Sequence, residues 1–345
     1  MGVDLGDLAI KNTISLQSLS GKIIAVDAFN IIYQFLASIR QEDGTPLSDF
    51  KGNVTAHLSG LFYRNAKLLD NGIRPVYVFD GKAHHFKGKV QKERAKTKKE
   101  AEKKWKEALA LEKYEDARKF AQATSRLTPA MVEESKKLLE AMGIPVVQAP
   151  REGEAQAAMM VKEGMAYATA SQDYDVLMFG SPLLVRNLSI TGRRKVPRQN
   201  RYIMVEPELI RLEETLSALA VDRAGLIIIG ILTGTDFNEG IKGVGPKTAL
   251  KIVQEHRSLD EVIGYVREKY DYQFEVDAEE VFNMFLDPPY TPVEDLKWTD
   301  IDLNTVSRIL VDEHDFSEDR IHKIITDLKE KSKERAAQSK LDKWF

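Results

Sequence analysis

The chain of 345 residues predicts an α/β fold, a mainly parallel twisted sheet flanked by helices, on three observations. Four short apolar runs rich in β-branched residues have the length and the bounds of buried strands. Helix-periodic stretches alternate with them, as the crossovers between parallel strands require. A long Lys- and Glu-rich segment without strand pattern interrupts the alternation between the second and third runs, and so reads as a helical insertion.

The first run is Lys22-Ile-Ile-Ala-Val and the second is Pro75-Val-Tyr-Val-Phe. The insertion follows, from about Lys82 to Arg126. A helical pattern from Met131 to Met142 leads into the third run, Ile144-Pro-Val-Val-Gln, and another from Ala155 to Lys162 into the fourth, Ala166-Tyr-Ala-Thr-Ala. From about Pro207 the pattern is helical around a glycine hairpin, with only a weak strand signal near the C-terminus. Glu330 to Lys340 is polar and charged and is expected to be flexible. The expected regions are 1–81, an insertion at 82–127, an intermediate part at 128–220, a hairpin-containing helical part at 221–325 and a tail at 326–345.

A hydrophobic content of 43% suffices for a substantial core. No run of about 18 apolar residues occurs, and the start shows neither a secretory pattern nor a myristoylation pattern, so a soluble cytoplasmic protein is expected, without a membrane partner. Cysteine is absent, which excludes disulfides, thiolate nucleophiles and cysteine-held zinc or iron–sulfur centres. Any metal must rest on oxygen or imidazole. The net charge of −3 hides an uneven distribution: Lys82 to Lys119 holds 14 Lys and Arg against seven acids, a local charge of +7. Such a run is either a solvated helix laced with ion pairs or a nucleic-acid contact.

Ligands of parallel sheets bind at the carboxyl ends of the strands, and there this chain places acids. The first run ends in Asp27 and the second in Asp80; the third is followed by Glu152 and Glu154, the fourth by Asp173 and Asp175. Any one of them could simply cap a helix. Six converging on one edge would repel strongly unless cations neutralise them. All-oxygen ligation favours Mg²⁺, with Mn²⁺ as a substitute, and a shared acidic site can hold two ions. The implied chemistry is in-line phosphodiester hydrolysis without a nucleophilic side chain. A purely structural calcium or magnesium site is the bland alternative; the spacings follow neither an EF-hand loop nor the Asp-x-Asp of haloacid dehalogenases.

Ile241-Lys-Gly-Val-Gly-Pro-Lys lies between helical patterns, and Gly243 and Gly245 would let backbone amides approach phosphates at a helix N-terminus. It looks like a helix-hairpin-helix, against the alternative of an ordinary turn, and Gly234-Thr-Asp236-Phe adds an acid just upstream.

With these residues in view, the chain resembles the archaeal flap endonucleases of the structure-specific 5′-nuclease superfamily over nearly its whole length. The resemblance rests on Met1-Gly-Val, Val26-Asp-Ala-Phe-Asn with Tyr33-Gln-Phe-Leu, Val78-Phe-Asp-Gly, Gln148-Ala-Pro-Arg-Glu-Gly-Glu-Ala-Gln-Ala, Ser171-Gln-Asp-Tyr-Asp, Gly234-Thr-Asp-Phe-Asn and the glycine hairpin. It implies a 5′ flap endonuclease with 5′–3′ exonuclease activity, acting as a monomer on branched DNA in Okazaki fragment maturation and repair.

It also implies that Asp27, Asp80, Glu152, Glu154, Asp173, Asp175 and Asp236 hold two metal ions. Lys87 and Arg94, in an insertion that becomes an arch over the site, would contact the scissile phosphate. Tyr33 would stack on a base beside the cut, unless it is an ordinary core aromatic. Gly2, freed by removal of Met1, would bring the chain's amine near the phosphates. Lys242 and Lys247, with Gly243 and Gly245, would hold the duplex backbone without reading sequence. The region from Asp43 to Arg64 would hold the pocket for a 3′ flap.

The chain departs from the family pattern at three places. Arg151 stands where a small hydroxyl residue is usual, His84-His85 replace Pro-Pro, and Phe237 replaces Tyr. Arg151 would either pair with Glu152 or contact a phosphate. Gln338, Leu341, Trp344 and Phe345 resemble the peptide by which replication enzymes bind a DNA sliding clamp of the proliferating cell nuclear antigen type; the alternative is an amphipathic helix packed on the protein's own body. No basic nuclear-targeting tail follows. The rivals to the nuclease reading are a nucleotide-excision or 5′-exonuclease relative, and a catalytically silent adaptor that binds branched DNA and the clamp.

Overall fold

The computed structural model describes residues 3–82, 87–195 and 201–341, with side chains for these except at 87–95, 193–195 and 336–341. Nine strands occur among them: β1 (Lys11–Thr13), β2 (Ile23–Asp27), β3 (Arg74–Phe79), β4 (Val146–Gln148), β5 (Ala168–Ala170), β6 (Leu183–Arg186), β7 (Gly192–Lys195), β8 (Tyr202–Val205) and β9 (Glu208–Arg211). Seven form one sheet in the order β1-β9-β6-β5-β2-β3-β4, and β7 with β8 makes a separate hairpin. The five strands from β6 to β4 run parallel, and β9 and β1 are antiparallel additions.

The four runs read as strands are β2 to β5, and their side chains explain why the reading succeeds. Ile24, Val26, Tyr77 and Phe79 enter one hydrophobic cluster, while Ala25, Val76 and Val78 enter another on the opposite face. A two-residue alternation with both faces apolar is the pattern of a strand covered by helices on both sides. Helices α1 (Ala28–Ser38), α2 (Ala56–Asp70), α3 (Lys87–Ala110), α4 (Tyr114–Gln122), α5 (Pro129–Ala141) and α6 (Gly153–Lys162) fill the intervals. α1, α2 and α5 contribute to the first cluster and α6 to the second. α3 and α4 are the insertion. Trp105 of α3 ties it to the body by donating to the Asp43 carbonyl at 3.2 Å.

The expectation of purely helical structure after Pro207 is corrected by β9, which starts at the next residue and contains only two apolar side chains between charges. No strand follows β9 among the described residues. β1 is a three-residue exposed edge, β7 (Gly-Arg-Arg-Lys) is polar, and β8 (Tyr-Ile-Met-Val) is a four-residue apolar run that is mostly exposed, so none carries the alternation that marks a strand in sequence. α7 (Asp175–Met178) lies between β5 and β6, and beyond β9 come α8 (Leu212–Leu219), α9 (Arg223–Thr233), α10 (Pro246–Glu255), α11 (Leu259–Tyr270), α12 (Ala278–Leu286), α13 (Leu303–Ser307) and α14 (Glu318–Leu341). Glu330 to Lys340, expected to be flexible, lies within α14. Its Lys, Glu and Ala residues are strong helix formers, and Lys331 and Arg335 dock it on α2 through the Asp70 carboxylate at 2.6 Å and the Leu69 carbonyl at 2.6 Å.

Candidate active site

The chain runs from β2 outward to β3 and β4, then returns to the other side of β2 to lay down β5 and β6. The reversal between β2 and β5 opens a crevice at their carboxyl ends, where open α/β sheets bind ligands. Asp27 is the last residue of β2, Asp80 follows β3, and Ser171 follows β5. Glu152 and Glu154 open α6, Asp175 opens α7, and Asp236 sits in the turn after α9.

Six of the seven expected acids are electrostatically linked. Asp27 feels Asp80 and Asp173; Glu154 feels Asp27, Asp173 and Asp175; Asp175 feels Asp236 and Asp173. Glu152, one turn before Gln156 on α6, completes the set by position. Asp27 and Asp175 are buried, whereas Asp80, Glu152, Glu154, Asp173 and Asp236 are partly exposed, so the group reaches from the protein interior to solvent.

Helix capping alone does not explain these acids. Asp27 does cap α1, its Oδ1 accepting the Asn30 N–H at 3.2 Å. A cap at a helix N-terminus stabilises the carboxylate and lowers its pKa. Instead, burial, followed by the charge of Asp80, pushes Asp27 up to about 8. Burial and then Asp236 push Asp175 up to about 7. Burial and then Asp27 raise Glu154 well above the usual carboxylate range. What opposes the rises of Asp27 and Glu154 is uncharged or lies within the cluster: the Asn30 amide and a hydrogen bond with Glu154 at Asp27, and the Ser171 hydroxyl at Glu154. The donor set is therefore all oxygen, crowded, partly desolvated and short of positive charge, which fits hard divalent cations.

Among the described residues no three of these groups close around a single point as a finished cage would. Mg²⁺ sites are seldom such cages, because that ion keeps several waters and takes one or two carboxylates together with substrate phosphates.

Sequence reasoning missed the side chains that hold the acids in place. Asn30 Nδ2 donates to Asp173 Oδ2 at 2.9 Å, and its Oδ1 accepts the Gln172 N–H at 3.1 Å. Ser171 Oγ donates to Glu154 Oε1 at 2.8 Å, lies 3.3 Å from Asp27 Oδ2, and accepts the Asp173 N–H at 3.2 Å. The Val3 amide donates to Asp175 Oδ1 at 2.6 Å, which brings the N-terminal segment to the cleft. Gln148 Nε2 donates to the Asp80 carbonyl at 2.6 Å. Asp236 is presented by a locked turn, in which Thr235 Oγ1 accepts the N–H groups of Phe237 and Asn238. In sequence, Asn30 and Ser171 stand inside Val26-Asp-Ala-Phe-Asn and Ser171-Gln-Asp-Tyr-Asp, each within three residues of an acid, but nothing there shows which acids their side chains hold.

Tyr33 is 39% exposed on α1, so it is no core residue, and Lys98 of α3 lies 5.4 Å from its ring centroid. Lys87 and Arg94 belong to α3, but their side chains lie outside the described residues, as do Gly2, His84 and His85. The basic insertion does contain ion pairs, Lys106 with Glu102 at 3.1 Å and Arg126 with Glu102 at 3.6 Å. Phe237 is buried and packs edge-on against Phe285, where a phenol hydroxyl would need its own partner. Arg151 is exposed, and its carbonyl accepts the Gly81 N–H at 2.6 Å.

The glycine hairpin lies between α9 and α10, at the far end of the buried α9 from the Asp222 cap. Gly243 has φ +87°, which favours glycine, and Gly245 precedes Pro246 at the first position of α10. Lys242 and Lys247 are exposed beside it, with Lys247 Nζ 3.1 Å from the exposed Asp7 carboxylate. The clamp-peptide residues Gln338 and Leu341 fall on the last turns of α14 without described side chains, and Trp344 and Phe345 lie outside the described residues.

Comparison with known proteins agrees with this geometry. The chain matches the XPG N-terminal domain over residues 5–101 and the XPG I-region over residues 143–236. Flap endonuclease 1 of Pyrococcus abyssi is 52% identical over 346 aligned positions, spanning 100% of this chain and 98% of that one. The structure of flap endonuclease-1 from Methanococcus jannaschii superposes with a TM-score of 0.75 at 40% identity, covering 97% of this chain and 100% of that one. The catalytic core of Rad2 in complex with DNA substrate shares the fold, with a TM-score of 0.68 at 24% identity over 95% of this chain and 100% of that one. Identity of this extent, along the entire chain, places it in the flap endonuclease family, the nucleases built on the XPG N-terminal domain and I-region.

Proposed function

We propose that this flap endonuclease hydrolyses a phosphodiester near the single-strand/double-strand junction of 5′-flapped DNA, using two Mg²⁺ ions held by Asp27, Asp80, Glu152, Glu154, Asp173, Asp175 and Asp236. The observation that carries the reading is the mutually repelling carboxylate set at the sheet's switch point, built on the buried Asp27 and Asp175. When bound, such a pair of ions supplies Lewis-acid activation of water and offsets the charge that builds on the attacking and leaving oxygens.

The chain's own residues then have separable tasks. Asp27 and Asp175 surrender protons when cations arrive, because their pKa values stand near neutrality only while the charge is uncompensated. Asn30 and Ser171 keep Asp27, Glu154 and Asp173 in register. Tyr33, exposed beside the cleft, offers a face to an unpaired base. Lys87 and Arg94 of α3 stabilise the scissile phosphate, and the single-stranded 5′ end passes beneath the arch of α3 and α4. The amides at the start of α10, with Lys242 and Lys247, grip the duplex backbone away from the cut. Gln338, Leu341, Trp344 and Phe345 tether the enzyme to a sliding clamp. The relatives' names, and a relative of this fold captured on DNA substrate, support branched DNA as the partner.

The test is gel-resolved cleavage of a 5′-labelled double-flap DNA with Mg²⁺ and with EDTA, beside a matched single strand. Metal-dependent cutting near the junction is expected. Binding without cutting would favour a silent adaptor and overturn the proposal.

A further inference from the structure

α6 carries two of the seven acids, and its first turn is tied to the sheet by the Gly153 N–H, which donates to Asp80 Oδ1 at 2.7 Å, and by Ser171, which donates to Glu154 Oε1 at 2.8 Å. Glu152 occupies the cap position without a side-chain capping bond. The face of the helix toward the sheet is built from Ala157, Met160 and Val161, against Ala25, Val76 and Val78. Packing among such residues is non-directional and tolerates small slides. A second directional restraint acts farther along the helix, from outside the sheet.

It comes from residues 287–302, which connect α12 to α13 without helix or strand. Gln156, fully buried on α6, donates through Nε2 to the Thr291 carbonyl at 2.8 Å and accepts the Thr291 N–H on Oε1 at 2.8 Å. The amide side chain thus pairs with one backbone residue as a neighbouring strand would. Gln156 is also one helical turn from Glu152, whose carbonyl accepts the Gln156 N–H at 3.1 Å.

The strap is itself anchored to rigid parts of the sheet layer. The Trp298 indole donates to the Pro75 carbonyl of β3 at 2.9 Å, under the Arg74 guanidinium at 3.9 Å from the ring centroid. Farther on, the Thr299 and Asp302 amides donate to the carbonyls of Gly143 and Ala141 at 3.2 and 2.8 Å. α6 is therefore enclosed between the sheet and a strap fastened to β3 and the end of α5.

We propose that the Gln156–Thr291 clasp is a positioning device for the metal site: it sets the axial position of α6, and so of Glu152 and Glu154, relative to Asp27 and Asp80. The inference rests on the reading that these acids hold metal. Gln156 touches neither substrate nor ion, and acts through the helix. Coupling of this kind is reciprocal, so bound metal must strengthen the clasp as much as the clasp strengthens metal binding.

The chain supplies a readout for that reciprocity. In the segment 288–292 three residues are proline, so its only backbone N–H groups are those of Tyr290 and Thr291. Hydrogen exchange of the full-length wild-type protein should slow at this segment when Mn²⁺ is added. In parallel, Mn²⁺ binding is measured by electron paramagnetic resonance for wild type, Gln156→Met and Trp298→Phe. Gln156→Met should weaken Mn²⁺ binding roughly tenfold, the lower end for an outer-shell substitution. Trp298→Phe, which loosens the strap away from Glu152, should lower the melting temperature but keep Mn²⁺ affinity within about twofold of wild type, below that same range.

Unchanged exchange at 288–292 on Mn²⁺ addition would overturn the proposal, whether or not Gln156→Met folds. So would wild-type Mn²⁺ affinity in a folded Gln156→Met, or equal loss of affinity in both variants, which would mark the strap as general support. Failure of the wild type to bind Mn²⁺ would sink the metal reading instead.

Discussion

The Gly153 amide donates to Asp80 Oδ1 at 2.7 Å, and a side chain at residue 153 would place its Cβ 2.7 Å from that same oxygen. Asp80 is thus seated against the first turn of α6, with its carboxylate held by a backbone donor and its space defined by the missing Cβ. Gly153→Ala should displace the Asp80 carboxylate. The exchange to alanine returns helix propensity of up to about 1 kcal/mol, so the melting temperature should move little. Single-turnover flap cleavage should fall by at least roughly tenfold, as expected when a metal ligand is misplaced. Wild-type cleavage in a well-folded variant would remove Asp80 from the site.

The raised carboxylates make the metal-free protein pH-sensitive in a direction opposite to ordinary ion-paired acids. Asp27 at about 8 and Asp175 at about 7 stand above their ordinary value of 3.8, so between those limits the native state binds more protons than the unfolded chain. Their stabilising contribution is complete below pH 3.8 and is lost as pH rises through 7 and 8. Asp175→Asn keeps an oxygen to accept the Val3 N–H and removes one charge. In EDTA its melting temperature should exceed that of wild type at pH 8, with the gap closing toward pH 5, while flap cleavage with Mg²⁺ is lost. Melting curves across that range check the sign; a gap that widens on acidification would contradict the burial argument.

The acids were legible in sequence because the pattern that reveals them is one-dimensional: a strand, then a carboxylate, four times over. The side chains that hold them were not, because each acts across the chain. Asn30 meets Asp173 at a separation of 143 residues, Ser171 meets Asp27 at 144, and Gln156 meets Thr291 at 135. Gln156 stands inside the Gln148-Ala-Pro-Arg-Glu-Gly-Glu-Ala-Gln-Ala motif, but nothing local there points to Thr291 as its partner. β2 to β5 could be read because they sit in longer apolar runs with both faces covered, while β1, β6, β7, β8 and β9 escaped because runs so short carry little pattern of their own and are defined by their partners. The reading of Glu330 to Lys340 as flexible failed for a related reason. Polarity there reflects an exposed helix face, and its docking partner, Asp70, lies 261 residues from Lys331.

Lys247, exposed at the start of α10, tests whether the hairpin grips duplex backbone. If it neutralises one phosphate, Lys247→Ala should weaken flap binding in EDTA similarly for all sequences and reduce the slope of log Kd against log salt by about one. Cleavage at saturating DNA should be unchanged, since a phosphate contact of this kind supports binding and not the chemical step. Gly243→Ala should have a broader effect. Its φ of +87° costs a residue with Cβ about 1–2 kcal/mol, and relief of that strain would turn the amides away from the backbone. A salt slope that does not change in Lys247→Ala would show that the lysine's contact is with Asp7 alone.

Deleting Gln338 to Phe345 separates the tether from the enzyme. The last described anchors of α14 are Lys331 and Arg335, bonded to the Asp70 carboxylate and the Leu69 carbonyl, so a chain ending at Ala337 keeps the helix docked on α2. Intrinsic cleavage and melting temperature should therefore match the full chain, while stimulation by an added sliding clamp should disappear. If the segment packed on the protein's own body instead, its loss would expose apolar surface and lower the melting temperature, and the response to the clamp would survive. Measuring both quantities on the same truncated protein distinguishes a tether from a terminal helix, because the two readings predict opposite outcomes in each.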